Sequence, residues 1–248
     1  MKKDKLKVYF LEFILVAILA FALFVPNFNR IVLSLGLTVA AALVCFMLPK
    51  RKILSLNKKA VIIIFLILAV IYLVAFYLMG LYFGYYRSVV QFGFWAIRNY
   101  IFPITLIIIS SEIIRHIFLA QNTKPTKVIT FIIMVLIDLI VYANIYNMND
   151  FQYFVDIVSF TLFASISCNL MYNYVSNRYG SIPIIIYRLI TVLYVYFIPY
   201  IPNVYIFFRS VLRIVYPYLI YQLLEYSYPG KKRVIARILA YPLIWLKK

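Results

Sequence analysis

Residues 60–82 read AVIIIFLILAVIYLVAFYLMGLY and directly follow the pair Lys58-Lys59. No charged residue interrupts this stretch, so a helix formed from it would be apolar on every face. An α-helix needs about 20 such residues to cross the hydrocarbon core of a bilayer. The stretch therefore predicts a transmembrane helix that begins beside two lysines.

The rest of the chain repeats this pattern. Hydrophobic residues make up 66% of the 248 residues and charged residues only 13%, too little polar surface for a soluble protein. We expect an all-α polytopic membrane helical bundle of about eight transmembrane helices. The predicted spans are Val8–Val25, Ile31–Leu48, Ala60–Tyr82, Ile97–Leu119, Val128–Tyr146, Phe151–Tyr174, Pro183–Ile201 and Val204–Leu224.

The basic residues assign a side to each gap between these spans. Lys and Arg are retained in the cytoplasmic loops of membrane proteins. Only Arg30, Arg87 and Arg98 lie in the gaps assigned to the outside, so both termini are predicted to be cytoplasmic. The inner gaps hold Lys2, Lys3, Lys5, Lys7, Lys50, Arg51, Lys52, Lys58, Lys59, Arg115, Lys124, Lys127, Arg178, Lys231, Lys232, Arg233, Arg237, Lys247 and Lys248.

The net charge of +18 is explained by the same pattern. On a chain this hydrophobic, the expected anionic partner is the inner leaflet of the bilayer and not a nucleic acid. The N-terminal segment resembles a signal peptide around Ala20-Phe21-Ala22, but its apolar run continues to Pro26, which favours a retained first helix.

The chain divides into a bundle over residues 1–230 and a basic tail over residues 231–248. Residues 234–246 are too short to cross a bilayer and contain Arg237. They are predicted to form an amphipathic segment at the cytoplasmic interface, with a solvated tail as the alternative.

A few charged residues lie within predicted spans, where each needs a partner or a function. At a rise of about 1.5 Å per residue, six of them fall at matching depths on different helices. The predicted buried pairs are Asp138 with Arg213, Glu112 with Arg188, and Asp156 with Arg209. Such pairs either hold helices together or form a proton or ion relay; their mutual neutralisation favours the first role. Glu12 is expected to reach the inner interface.

Glu112, Arg115 and His116 share one helical face. This arrangement resembles the glutamate motif of the CAAX-protease-like intramembrane peptidases, which also use histidines on other helices. Here a single His is present, and a metal site needs three or four ligands, so we expect no metal and no cofactor. The favoured interpretation is a buried bridge at Glu112, with Arg115 and His116 at the cytoplasmic end of the helix.

Glycine and proline mark possible close contacts and breaks. Gly80 and Gly84 form a Gly-xxx-Gly pair that permits close helix packing. Pro199, Pro202 and Pro217 predict either helices broken around a pore or, more often, a tight hairpin between the last two spans. No serine lies in a Gly-x-Ser-x-Gly turn, and six glycines form no phosphate-binding loop.

Two segments resemble the membrane-embedded N-terminal region of multi-spanning signal peptidase I-like proteins of Gram-positive bacteria. One runs from Arg98-Asn99-Tyr100 through Pro103 to Glu112–Arg115. The other contains Asn173–Ser176, Gly180, Pro183, Ile185–Ile190, Leu193–Tyr196, Ile198-Pro199 and Ile201–Asn203. The resemblance implies a multi-pass protein of the bacterial plasma membrane. The catalytic Ser and its Lys or His base lie in an outer domain of that family, and no Ser-x-Met-Pro-like segment occurs here, so no catalytic residue is transferred.

The leading functional hypothesis is therefore a non-catalytic membrane module that anchors or recruits a partner, such as a protease subunit, in protein export or processing. The alternative is a small-solute or ion transporter or channel that uses the buried acid–base pairs. An intramembrane hydrolase built on Glu112 and His116 is the third and least favoured hypothesis.

Overall fold

The computed structural model describes residues 2–23, 25, 29–49, 57–90, 92–142, 154–155 and 157–228, with side chains from residue 6 onward. Three predictions lie outside these residues. They are the pairing of Asp156, the amphipathic segment in residues 231–248, and the position of the basic residues 50–52.

The described part of the chain is mostly helical, as predicted. The described residues form eight principal helices, and five of them (α1 to α5) are long and apolar enough to cross a membrane. The helices are α1 (Lys2–Leu23), α2 (Arg30–Met47), α3 (Lys58–Phe83), α4 (Phe94–Ala120), α5 (Lys124–Tyr142), α6 (a π-helical turn Ile157–Leu162 continuing as Phe163–Tyr179), α7 (Ile182–Phe197) and α8 (Ile206–Ser227).

Local sequence explains several of the helix ends. The Asn29 Oδ1 accepts a hydrogen bond from the Ile31 backbone N–H at 2.8 Å and so caps the start of α2. Helices α3 and α6 end at Gly84 and Gly180, whose φ angles of 84° and 94° suit glycine and stop the helical path.

Two short strands connect distant loops at one end of the bundle. Strand β1 (Tyr85–Arg87) pairs antiparallel with β2 (Tyr200–Pro202), so that Tyr86 lies opposite Ile201. Where a tight hairpin was predicted between the last two spans, eight residues separate α7 from α8, and they include β2. The pairing of β2 with β1 was not predicted. Gly80 packs against this ladder: a Cβ on Gly80 would lie 2.6 Å from the Tyr85 ring. Its close contact is therefore with the strand pair.

The apolar side chains form two main helix clusters. The first consists of α1, α2, α4 and α5, with Phe118 and Ile133 at its centre. The second consists of α3, α6, α7 and α8, with Phe65 and Val175 at its centre. Helix α4 is the most enclosed of the five long apolar helices. Of its 18-residue apolar stretch, 61% is buried, against 28% of the corresponding stretches in α1 and α2. It contacts α5, α6 and α7, which places it at the junction of the two clusters.

Candidate functional site

The polar centre of the molecule lies where the two helix clusters meet. We call it the charge ring, and it consists of Glu112 and Arg115 on α4, Asp138 on α5, Asn169 on α6 and Arg188 on α7. Glu112, Arg115 and Asn169 are completely buried, and Asp138 and Arg188 are nearly so. Glu112 and Arg115 are one helical turn apart, so both side chains point to the same side of α4.

Glu112 binds two arginines from opposite directions. Its Oε1 accepts a hydrogen bond from Arg188 Nη1 at 2.6 Å. Its Oε2 lies 3.0 Å from Arg115 Nε, a close ion pair that is not aligned as a hydrogen bond. Arg188 Nη1 also lies 3.3 Å from Ser111 Oγ. The carboxylate is thus held between two guanidinium groups.

Asp138 closes the other side of the ring. Its Oδ1 accepts a hydrogen bond from Arg188 Nη2 at 3.1 Å. Its Oδ2 accepts from Asn169 Nδ2 at 2.7 Å and from Ser165 Oγ at 2.8 Å. Both carboxylate oxygens therefore have donors, which is what a carboxylate removed from water requires.

Asn169 connects Asp138 to Arg115 and completes the ring. Its Oδ1 accepts from Arg115 Nη2 at 2.6 Å, while its Nδ2 donates to Asp138. Arg115 Nη1 donates to Asn173 Oδ1 at 2.9 Å. The ring of Tyr172 lies beside both guanidinium groups, 5.3 Å from that of Arg115 and 5.5 Å from that of Arg188.

The charges of the ring cancel. Two carboxylates face two guanidinium groups, and amide and hydroxyl groups satisfy most of the remaining lone pairs and N–H bonds. Such an arrangement disfavours the entry of a charged ligand, because the ligand would separate a buried charge from its partner. Within the described residues, no three His, Cys, Asp or Glu side chains lie close enough together to hold a metal ion.

The structure brings together one of the three predicted pairs. Glu112 and Arg188 are in contact. Asp138 binds Arg188 on α7, so the predicted pairing of Asp138 with Arg213 on α8 is wrong. Depth along a helix does not say which neighbour a side chain faces, and α5 packs mainly on α1, α4 and α6. Arg209 lies over the Phe76 ring at 5.7 Å, and its predicted partner Asp156 is outside the described residues.

Two predictions for side chains near the inner ends, those for Arg115 and Glu12, were also wrong. Arg115 was expected at the cytoplasmic end of its helix, but it is buried and belongs to the ring, because α4 continues for more than another turn to Ala120. His116 is only partly buried, and its Nδ1 has no hydrogen-bond partner among the residues that the structure describes. Glu12 was expected at the interface; instead it is fully buried.

A second ion pair links α6 and α8 near their C-terminal ends. Arg178 Nη1 lies 3.1 Å from Glu225 Oε2, and the Tyr174 hydroxyl contacts both residues. Arg178 was predicted to lie in a loop, and no role was predicted for Glu225. Arg178 and Glu225 lie outside the predicted spans, and Asn169 and Asn173 carry no charge. The prediction of charged pairs within spans therefore included none of the four.

These features define a class of protein: a helical membrane protein with a neutral ring of charge at the junction of two helix clusters. Comparisons with protein-family models, with curated proteins and with solved structures find no match.

Proposed function

We propose that this chain is a non-catalytic membrane module that anchors or recruits a partner protein, related to the spanning region of signal peptidase I-like proteins. The observation that carries the proposal is the charge ring. It neutralises its own charges and satisfies most of its own hydrogen-bonding groups, which suits a fixed joint between helix clusters better than a reaction centre.

The proposal includes a location and a topology. The chain would reside in the bacterial plasma membrane, cross it eight times and keep both termini in the cytoplasm. Single cysteines replacing Lys5, Arg87 and Lys232 in a variant lacking Cys45 and Cys168 test this arrangement. Labelling of intact cells with a membrane-impermeant maleimide should reach only the position in the loop at Arg87. Labelling of either terminus would contradict the topology.

Co-purification tests the partner. The tagged full-length chain, extracted in mild detergent from its native host, should retain a component of protein export or preprotein processing. An unrelated multi-pass protein of similar abundance serves as the control for nonspecific capture. Recovery of no such component above that control would overturn the proposed function.

An Asp138→Asn variant separates this function from transport. A structural joint predicts reduced thermal stability, because Arg188 would lose half of its neutralising charge. An ion relay predicts a variant that is as stable as the original but no longer carries protons across proteoliposome membranes, as read with an enclosed pH-sensitive dye. If the wild-type protein carries protons and Asp138→Asn abolishes this flux without loss of stability, the transport hypothesis would replace the module hypothesis.

A further inference from the structure

A second polar region lies close to the charge ring, toward the end of the bundle that holds the starts of α2 and α8. It is a cavity of about 450 Å³, which we call the arginine cavity because Arg30, Arg209 and Arg213 line it. The topology proposed above places this end on the outer side of the membrane. A smaller cavity of about 80 Å³ shares Arg213 with it and extends to Asp138.

The charges of the arginine cavity are unbalanced. Within the described part of the chain, no Asp or Glu lines it, and none of its three arginines forms an ion pair. Each guanidinium instead lies over an aromatic ring: Arg30 over Tyr100 at 6.0 Å, Arg209 over Phe76 at 5.7 Å and Arg213 over Tyr142 at 6.0 Å. Aromatic faces offset only part of the cost of holding cations inside a membrane protein.

Asp138 does not supply the missing negative charge. Its two oxygens are already occupied by Arg188, Asn169 and Ser165. Within the residues that the structure describes, no carboxylate therefore neutralises the positive charge of the arginine cavity. Arg209 and Arg213 are one turn apart on α8, and both line the cavity. Guanidinium groups are strong donors to anionic oxygens.

The other lining residues indicate what kind of anion the cavity could bind. The hydroxyl groups of Tyr142, Tyr194 and Tyr196 can donate hydrogen bonds to oxygen atoms. Apolar side chains, among them Ile104 and Phe160, form much of the remaining wall. Guanidinium forks and hydroxyl donors suit the oxygens of a phosphate, and the apolar wall suits an attached hydrocarbon group.

The backbone around the cavity is also unusual. Within the described residues, π-helical turns occur at Ile97–Ile101 and at Ile157–Leu162. The second turn lines the cavity through Ile157 and Thr161, and the first contains Tyr100, which faces Arg30. Such turns are rare and occur frequently at functional sites.

Helix α8 is altered next to the same region. Pro217 has no N–H to donate to the Arg213 carbonyl, and the Cys168 Sγ lies 3.8 Å from that oxygen. The neighbouring Ile214 carbonyl accepts from Ser167 Oγ at 2.6 Å. Contacts from α6 thus support the segment of α8 that carries Arg213.

We propose that the arginine cavity binds a phosphate group, carried either by a membrane lipid or by a small soluble phosphate. A volume of about 450 Å³ exceeds that of a bare ion and lies within the range of about 300–1,000 Å³ typical of small-molecule sites. This inference does not depend on the proposed role as a membrane module.

Binding to the purified full-length chain in a non-ionic detergent tests the proposal. The probes are short-chain phosphatidylglycerol, inorganic phosphate, and a short-chain diacylglycerol that lacks phosphate. The variants are Arg209→Gln and Arg213→Gln, with Arg98→Gln as the control, because Arg98 is exposed and does not line the cavity. Each cavity substitution should weaken binding of the phosphate-bearing probe about tenfold or more, while the control binds normally.

The two sources of phosphate give different results. Saturable binding of phosphatidylglycerol that inorganic phosphate does not displace assigns the site to a lipid headgroup. Saturable binding of inorganic phosphate that Arg213→Gln weakens assigns it to a soluble phosphate. Equal binding by all variants, absence of binding by either phosphate probe, or equally tight binding of diacylglycerol would overturn the proposal. Retained elution volume and melting temperature would show that a variant has not lost binding through unfolding.

Discussion

The charge ring and the arginine cavity hold buried charge in opposite ways. In the ring, each arginine contacts at least one carboxylate, and Glu112 contacts two arginines. In the cavity, the three arginines rest on aromatic rings with no carboxylate from the described residues beside them. The arginines of the ring are therefore neutralised by carboxylates of the chain itself. Those of the cavity are not neutralised by any carboxylate of the described residues.

The two regions also differ in what surrounds them. The ring lies between four helices, α4 to α7, and its side chains are almost completely buried. The cavity contains open volume, and Arg30 is exposed while Arg209 and Arg213 are only partly buried. A substitution should consequently affect stability in the ring and ligand binding in the cavity.

The largest effect is expected from Arg188→Met. This change removes the cation that contacts both Glu112 and Asp138, and it leaves one buried negative charge uncompensated. Removal of one partner of a buried ion pair costs about 3–5 kcal/mol. Thermal unfolding in detergent should show a large loss of stability, or the variant should fail to accumulate. Arg209→Met is the matched control and should unfold near the wild-type temperature. Equal melting of the two variants would erase the distinction between ring and cavity.

A smaller effect is expected when neutrality is restored. Glu112→Gln alone leaves an excess cation in the ring, but combined with Arg188→Met it leaves Asp138 and Arg115 linked through Asn169. The double variant should lose less stability than the sum of the two single losses, by about 0.5–3 kcal/mol, because the two side chains are in contact. A thermodynamic cycle from chemical unfolding measures this coupling. Strict additivity would mean that the ion pair contributes nothing.

The neutral bridge of the ring should matter less than its charges. Asn169→Ala removes the donor to Asp138 and the acceptor for Arg115, and it adds no charge. The groups left unsatisfied cost about 1–3 kcal/mol each at most, and a water molecule in the vacated space would reduce the loss. Asn177→Ala, farther along α6 and not buried, is the control for a general effect of the substitution. A loss equal to that of Arg188→Met would show that the amide, and not charge balance, organises the site.

The sequence predicted how deep a charged residue lies along its helix. It did not predict which neighbouring helix the side chain faces. The regular rise of a helix placed Glu112 and Arg188 at matching depths, and they are in contact. The same argument failed for Asp138 and Arg213, because side-chain direction depends on how the helices are rotated and packed. Asn169 and Asn173 were missed because only charges were sought. Their spacing of four, continued backward to Ser165, marks a polar face on α6 that the sequence already contains.

The strand pair and the cavity could not be derived from local patterns. Strands β1 and β2 have three residues each and lie far apart in the chain, so no periodicity identifies them. Arg30 was assigned to an outer gap and Arg213 to a buried pair, yet both line one cavity. Only the packing of α2 and α8 around the same space reveals this relation, which depends on tertiary contacts.

The smallest effect is expected from Arg213→Gln without added phosphate or lipid. Arg209 and Arg213 are like charges one turn apart, and such pairs destabilise a helix by about 0.2–0.5 kcal/mol. The variant should therefore equal or slightly exceed the wild type in stability at low salt, and the gain should vanish at high salt as the repulsion is screened. Arg98→Gln, which removes an exposed charge, should show no such salt-dependent gain. A loss of several kcal/mol would instead mean that Arg213 holds a buried anionic partner within the chain. The cavity would then be a second neutral ring, and its capacity for an external phosphate would disappear.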